Sequence, residues 1–211
     1  MVVKDIGVIM KRFSLFVYLA VVCLFSSSAY ADQGRIFING GAYSGKAGAE
    51  VTYERNGAEI ASVESDESGT GLVVSIGSIN DKRMALVEAS TMEYSDARIL
   101  SVLAVYNHFI GGTDKLKPYA GVHGGFSSFT WKEDIVLDGY TYELKDESAT
   151  SGALGVRAGL IARINETFMI DFGYKYTATA LETDLELSAS DTLKFESKYN
   201  HGAYVTLNCI F

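Results

Sequence analysis

From residue 149 onward, apolar side chains recur at every second position. Leu154, Val156, Ala158, Leu160, Ala162 and Ile164 alternate with Gly155, Arg157, Gly159 and Arg163. Phe168, Ile170, Phe172, Tyr174 and Tyr176 alternate in the same way with Met169, Asp171, Gly173, Lys175 and Thr177. A period of two belongs to a β-strand, whose successive side chains point to opposite faces, and it does not fit the 3.6-residue period of a helix. Each segment therefore has one greasy face and one polar or glycine face. After the N-terminal segment no stretch approaches the ~18 apolar residues of a spanning helix, and no run shows helical spacing with start and stop signals. An α-helical membrane protein is excluded.

In a soluble sandwich the apolar face would be the core. Three features favour the inverse arrangement, a barrel with lipid outside and polar groups inside. The first is at the N-terminus, where Lys11 and Arg12 precede the apolar run Phe13 to Phe25 and then Ser26-Ser27-Ser28-Ala29-Tyr30-Ala31. This is the layout of a secretory signal with a small-residue exit, and it places the start of the mature chain at Asp32. The apolar run of about 13 residues is too short for a permanent anchor, which needs ~20. Met10 makes a tidier start than Met1. The second feature is that short turn signals, Asn80-Asp81-Lys82 and Asn165-Glu166, alternate with long acidic segments. The third is a final strand that ends on the aromatic Phe211.

Eight alternating segments follow the signal: 35–44, 69–79, 83–94, 98–109, 117–131, 149–164, 167–178 and 200–211. Each is close to or above the ~9–11 residues of a tilted spanning strand. The expected fold is all-β, an eight-stranded antiparallel up-and-down transmembrane barrel over 32–211, with 1–31 as its signal peptide. Asn56-Gly57 is a hairpin signal, so 47–65 supplies either a protruding hairpin or two further strands in a ten-stranded barrel. The hairpin is preferred because 58–65 is polar on both faces. Extending one phase along all the strands puts Asn39, Glu88, His123, Arg157, Asp171, Lys175 and Asn208 in the lumen. Glu88, His123, Arg157, Asp171 and Lys175 then form an ion-pair and hydrogen-bond network that fills a narrow barrel. Arg157 and Asp171 are expected on adjacent strands. A three-residue loop at 164–166 would set Arg157 opposite Gly173, diagonal to Asp171.

The run Lys115-Leu116-Lys117-Pro118-Tyr119-Ala120-Gly121-Val122-His123-Gly124-Gly125-Phe126, the glycine-spaced Gly155-Val156-Arg157-Ala158-Gly159, the segment Ile170 to Tyr176 and the closing Phe211 resemble the opacity-protein and OmpX/Ail-like group of small outer-membrane barrels. The resemblance covers about 98–211 in residues and 32–97 only in position. It implies the barrel architecture and a location in the outer membrane, among its lipids and lipopolysaccharide. The residues Asn208-Cys209-Ile210 depart from the group's usual aromatic and basic residues before the final Phe.

The chain's net charge of -8 becomes -10 once the signal is removed. A charge balance this acidic argues against nucleic-acid binding, which needs extensive basic surface to neutralise phosphates. Loss of Cys23 leaves Cys209 as the sole thiol and allows no internal disulfide. Segments 46–67, 132–148 and 179–199 carry -4, -4 and -3, together about the whole mature charge. Asp138-Gly139 between two apolar triplets reads as a further hairpin, and Leu181 to Leu187 alternate with acids. Tyr140, Tyr142, Leu185 and Phe195 on these projecting strands are candidates for contact with host or cell-surface proteins through exposed edges.

Surface interaction or adhesion by a monomer is the leading expectation. A purely structural barrel, a lipid A-modifying enzyme and a small channel are the alternatives. No catalytic, metal or cofactor site is expected. His123 and Ser127 share a face but lie ~13 Å apart along the strand, and His108 and His201 are placed toward the periplasmic ends. The signal reading makes one direct prediction. Mass spectrometry of the protein recovered from the envelope should show Asp32 as the first residue, and retention of 1–31 would refute it.

Overall fold

A computed structural model describes residues 34–95, 97–137, 140–142, 148–186 and 191–211. Residues 1–31, read from the sequence as a signal peptide, lie outside the described residues. The strands are β1 (Arg35–Arg55), β2 (Ala58–Ile79), β3 (Arg83–Glu93), β4 (Ala97–Phe109), β5 (Leu116–Trp131), β6 (Ile135–Leu137), β7 (Tyr140–Tyr142), β8 (Ser148–Arg163), β9 (Phe168–Glu186) and β10 (Asp191–Ile210). Eight of them close a barrel in the order β1-β10-β9-β8-β5-β4-β3-β2, every neighbour antiparallel, and β6 and β7 form a separate two-stranded hairpin. Closure runs through β1 and β10, from Phe37 opposite Ile210 to Arg55 opposite Asp191.

The eight-stranded reading holds, and the ten-stranded alternative does not. Segments 47–55 and 58–65 are the outer halves of β1 and β2. They are joined at Asn56 and Gly57, both with positive φ, 53° and 75°, as a two-residue hairpin turn of matching twist requires. At the opposite, inner end the connections are short. The Asn80 side chain accepts the Lys82 and Arg83 amides at 2.9 and 3.0 Å. Asn165 does the same for Thr167 and Phe168, both at 2.8 Å. These are the local asparagine turns that the sequence signals rest on.

Strand length divides the barrel in two. β3, with 11 residues, rises ~36 Å along its axis, or ~28 Å across a membrane when tilted ~40°, which matches a hydrocarbon core. β1, β2, β9 and β10 have 19 to 22 residues and are consecutive in the wall. One half of the wall therefore continues past the other as a four-stranded sheet. Among the described residues, β2 meets β3 only from Thr70 onward, and β9 meets β8 only up to Thr179.

The outer surface of the barrel is apolar: Leu72, Val74, Ile76, Val122, Leu154, Val156, Phe172 and Leu207 are each at least half exposed. A continuous band of this kind suits a lipid environment and would drive aggregation in water. Inside, two apolar layers bracket a polar one. Phe37, Met84, Leu86, Leu103 and Met169 pack at the inner end, and Tyr43, Met92, Ile99, Phe129, Trp131 and Phe195 pack toward the outer end.

Phe195 corrects the expectation of an exposed contact residue. It is 3% exposed, with ring centroids 4.6 Å from both Phe129 and Trp131. The cause is a bulge at Lys198: Tyr199 faces Gly48 while Ser197 faces Ala49, so β10 carries one extra residue against β1. One inserted residue exchanges the two faces of a strand. Even positions point inward from Asn200 to Ile210, and Phe195 and Ser197 point inward beyond the bulge.

Lumen glycines make room for lumen tyrosines. A Cβ at Gly173 would sit 2.3 Å from the Tyr204 hydroxyl, and one at Gly159 would sit 2.4 Å from the Tyr119 hydroxyl. Small residues beside large ones fill a small barrel. Gly173→Ala should therefore destabilise the barrel by about 1–3 kcal/mol through overpacking. The expected readout is a lower temperature for the gel-mobility shift of the folded form, and an unchanged temperature would show that Tyr204 yields freely.

Candidate functional site

The lumen's middle layer is built from inward polar side chains of several strands. Glu88 on β3 accepts from Arg157 of β8 at 2.6 Å and from Lys175 of β9 at 2.8 Å. Lys175 also reaches Ser90 at 3.3 Å. Both cations lie over aromatic rings, Arg157 at 4.7 Å from the Tyr204 centroid and Lys175 at 4.3 Å from that of Tyr43. A cation between a carboxylate and a ring face is held by both. The Tyr119 hydroxyl donates to Asp171 at 2.7 Å and is hydrogen-bonded to Tyr204. His123 Nε2 is 2.9 Å from the Thr177 hydroxyl. Tyr43 donates to Asn200. Toward the inner end Ser75, Asn39 and Asn208 form a chain, with separations of 2.7 and 3.0 Å.

All five residues expected in the lumen network lie in the barrel interior, each under 5% exposed. Their pairing differs from the expected one. The last β8–β9 pair is Arg163 with Met169, which encloses five residues and not three, and Arg157 lies directly opposite Lys175. Asp171 therefore faces Ile161, and the acid that meets Arg157 comes from across the barrel. Glu88, not Asp171, is the hub. Tyr43, Tyr119, Tyr204, Asn200 and Thr177 complete the layer and were absent from the sequence-derived site. Their inward phase was available as a signal, but which aromatic reaches which charge depends on the closed wall.

At the outer rim acidic and basic side chains tie the extended strands together. Lys198, the bulge residue, meets Glu50 at 2.6 Å and Glu64 at 3.0 Å. Lys194 meets Glu54 at 2.7 Å, and the Tyr199 hydroxyl donates to Asp66 at 2.8 Å. The Glu50 carboxyl is held below its ordinary range first by the Lys198 hydrogen bond and then by Ser62, and Lys198 is raised in turn. Each exposed pair contributes little on its own, but together they set the register of β2, β1 and β10. Glu93 anchors the neighbouring corner by pairing with Lys132 at 2.6 Å and with Arg98.

His201 also departs from its expected place. It faces Lys46 and Tyr176, well up the barrel, because β10 enters from the outer end and residue 201 lies only midway along it. On the lipid-facing side its ring stacks with Tyr199 and Tyr176 at 5.6 and 6.3 Å and bonds to the Tyr174 hydroxyl. This is the amphipathic aromatic belt of a membrane boundary. The side chains of Tyr140, Tyr142 and Leu185 lie outside the described residues.

No protein-family model and no curated protein matches the chain. Solved structures do. The chain is similar to Neisserial surface protein A, NspA, at 16% identity and a TM-score of 0.50, over 81% of this chain and 95% of that one. It also aligns with the N-terminal β-barrel domain of Pseudomonas aeruginosa OprF at 17% identity and a TM-score of 0.42, over 85% and 100%. Ail, the attachment invasion locus protein of Yersinia pestis, aligns at 14% identity and a TM-score of 0.35, over 82% and 99%. The likeness to NspA is one of fold. Together with the closed eight-stranded wall, the apolar exterior and the filled lumen, it places this chain in the architectural class of small outer-membrane β-barrels.

Glu88 is the residue whose loss strands most charge. Glu88→Gln should leave Arg157 and Lys175 buried without their carboxylate and cost about 3–5 kcal/mol. Asp171→Asn, which keeps a hydrogen-bond acceptor for Tyr119, should cost about 1–2 kcal/mol. Urea unfolding in lipid vesicles would rank the two variants, and a larger loss in Asp171→Asn would move the hub away from Glu88.

Proposed function

We propose that this protein sits in the bacterial outer membrane and presents a projecting, acidic β-sheet at the cell surface for contact with other surfaces. The observation that carries the reading is the four-stranded extension β2-β1-β10-β9 beyond the lipid-matched wall. Over residues 58–69 the β2 edge has no partner strand among the described residues, and exposed backbone edges are templates for pairing with another chain. Ion pairs among Lys198, Glu50, Glu64, Lys194 and Glu54 keep the extension ordered, so a partner meets a preformed surface and not a flexible loop. The acidity of the three outer segments favours basic partners, or divalent ions that bridge to anionic glycolipid.

The filled lumen supports a second reading, a structural barrel with no ligand. Two apolar layers around a salt-bridged layer fill the axis with side chains, which weighs against a channel. Catalysis draws no support from the histidines. His123 is buried against Thr177, and His201 belongs to the aromatic belt.

The readings separate in one comparison. Replacing 133–146 by a Gly-Ser turn, or cutting the β1–β2 hairpin back to the Gly48–Asp66 pair, should leave the wall folded, because its hydrogen bonds close within the barrel. Attachment of intact cells to a panel of host surfaces should then fall to the level of cells without the protein. Unchanged attachment at matched surface levels, with altered envelope permeability on full deletion, would favour the structural barrel. A changed mass of the outer-leaflet glycolipid on expression would point to an enzyme.

A further inference from the structure

Charge is sorted by end, and the two ends are not balanced in the same way. At the outer end Lys194, Lys198, Arg98 and Lys132 each meet a carboxylate. At the inner end Arg35, Lys82, Arg83, Lys115, Lys117 and Arg163 cluster at the strand ends and turns, against Asp81, Asp114, Glu166 and the C-terminal carboxylate of Phe211 among the described residues. Of these six, only Lys117 is in an ion pair among the described residues, with Asp81 at 3.1 Å. Arg35 donates to the Glu166 carbonyl and not to its carboxylate. Among the described residues, this rim of the apolar wall thus carries more basic groups than it pairs with its own carboxylates.

Part of this rim faces lipid. Arg83 stands opposite His108 across the β3–β4 ladder, and Tyr106 stands opposite Ala85 one pair of residues deeper into the wall. Arg83, Ala85 and Tyr106 line a cavity of about 90 Å³ with Ser78, Ile79 and Asn80, about three water volumes. Beyond it the outward Ile76 and Val87 are directly paired and continue into the apolar band. From the inner rim toward the membrane centre the order is thus guanidinium and ammonium, phenol, then hydrocarbon. A phospholipid presents complementary groups in the same order from surface to centre: phosphate, glycerol, then acyl chain.

We propose that the inner rim is a binding site for anionic phospholipid. The headgroup phosphate meets Arg83 and Lys82, the Tyr106 hydroxyl lies at the glycerol level, and the acyl chains run along Ile76 and Val87. Basic side chains at a membrane surface each raise affinity for anionic lipid about five-fold, and salt weakens the effect. The proposal rests on the outer-membrane reading but not on the role of the outer extension, since lipid occupies this rim whether or not the protein is an adhesin.

The test uses the mature protein, folded and stripped of lipid in zwitterionic micelles. It is titrated with phosphatidylglycerol, phosphatidylcholine and inorganic phosphate and read by native mass spectrometry, with the heat-induced mobility shift as the folding control. The wild type should bind phosphatidylglycerol at least five-fold more tightly than phosphatidylcholine. Lys82→Gln with Arg83→Gln should abolish that preference, Lys82→Arg with Arg83→Lys should keep it, and Lys46→Gln at the outer end should leave it unchanged. Equal binding of the two lipids by the folded wild type, or an undiminished preference in the double glutamine variant, overturns the proposal. Displacement of phosphatidylglycerol by an equal concentration of inorganic phosphate also overturns it, because the rim would then be a free-anion site. A wild-type chain that never forms the heat-shifted barrel removes the outer-membrane reading and this site with it.

Discussion

The structure depends on one constraint: a backbone that crosses hydrocarbon has no water to satisfy its amides and carbonyls, so every spanning strand needs a partner on both sides. Pairing of β1 with β10 meets that requirement. It brings residues 37 and 210, at opposite ends of the barrel segment, into one ladder. Every other placement follows from it, because side chains that alternate along a closed wall point either to lipid or into a lumen too narrow for anything but themselves.

Within that lumen, charge is tolerated only where it is answered. Glu88 serves two cations from the far wall, and the tyrosine faces under Arg157 and Lys175 supply the remaining stabilisation. Glycines at 159 and 173 are part of the same arrangement, since they leave the space into which Tyr119 and Tyr204 extend. A barrel packed this way has its interior filled by its own side chains. Such a core favours a display scaffold over a conduit and moves the search for function to the two rims.

The rims differ in kind. At the outer one, acidic strands continue past the lipid-matched wall and are held in register by exposed ion pairs, with acid still in excess of base. At the inner one, Lys117 alone of six basic groups is in an ion pair among the described residues. The bulge at Lys198 links the wall to the outer rim. It turns Phe195 inward to cap the aromatic layer and places its own ammonium between Glu50 and Glu64. One extra residue therefore seals the lumen and orders the extension.

The sequence by itself determined the number of wall strands, their lipid-facing and lumen-facing phases, the asparagine turns at the inner end and the hairpin at Asn56-Gly57. All of these are local, depending on a two-residue period or on the backbone preferences of a few adjacent residues. It also determined that Glu88, His123, Arg157, Asp171 and Lys175 point inward. It did not determine that Arg157 meets Glu88 and not Asp171, because their separation of 69 positions is bridged only when the wall closes and its stagger sets their depth. Nor did it reveal that Phe195 is buried or that His201 lies high on the barrel. A bulge has no composition of its own, and height depends on which end of a strand the chain enters first. Those were decided by the tertiary structure, where register and closure turn a repeating pattern into particular contacts.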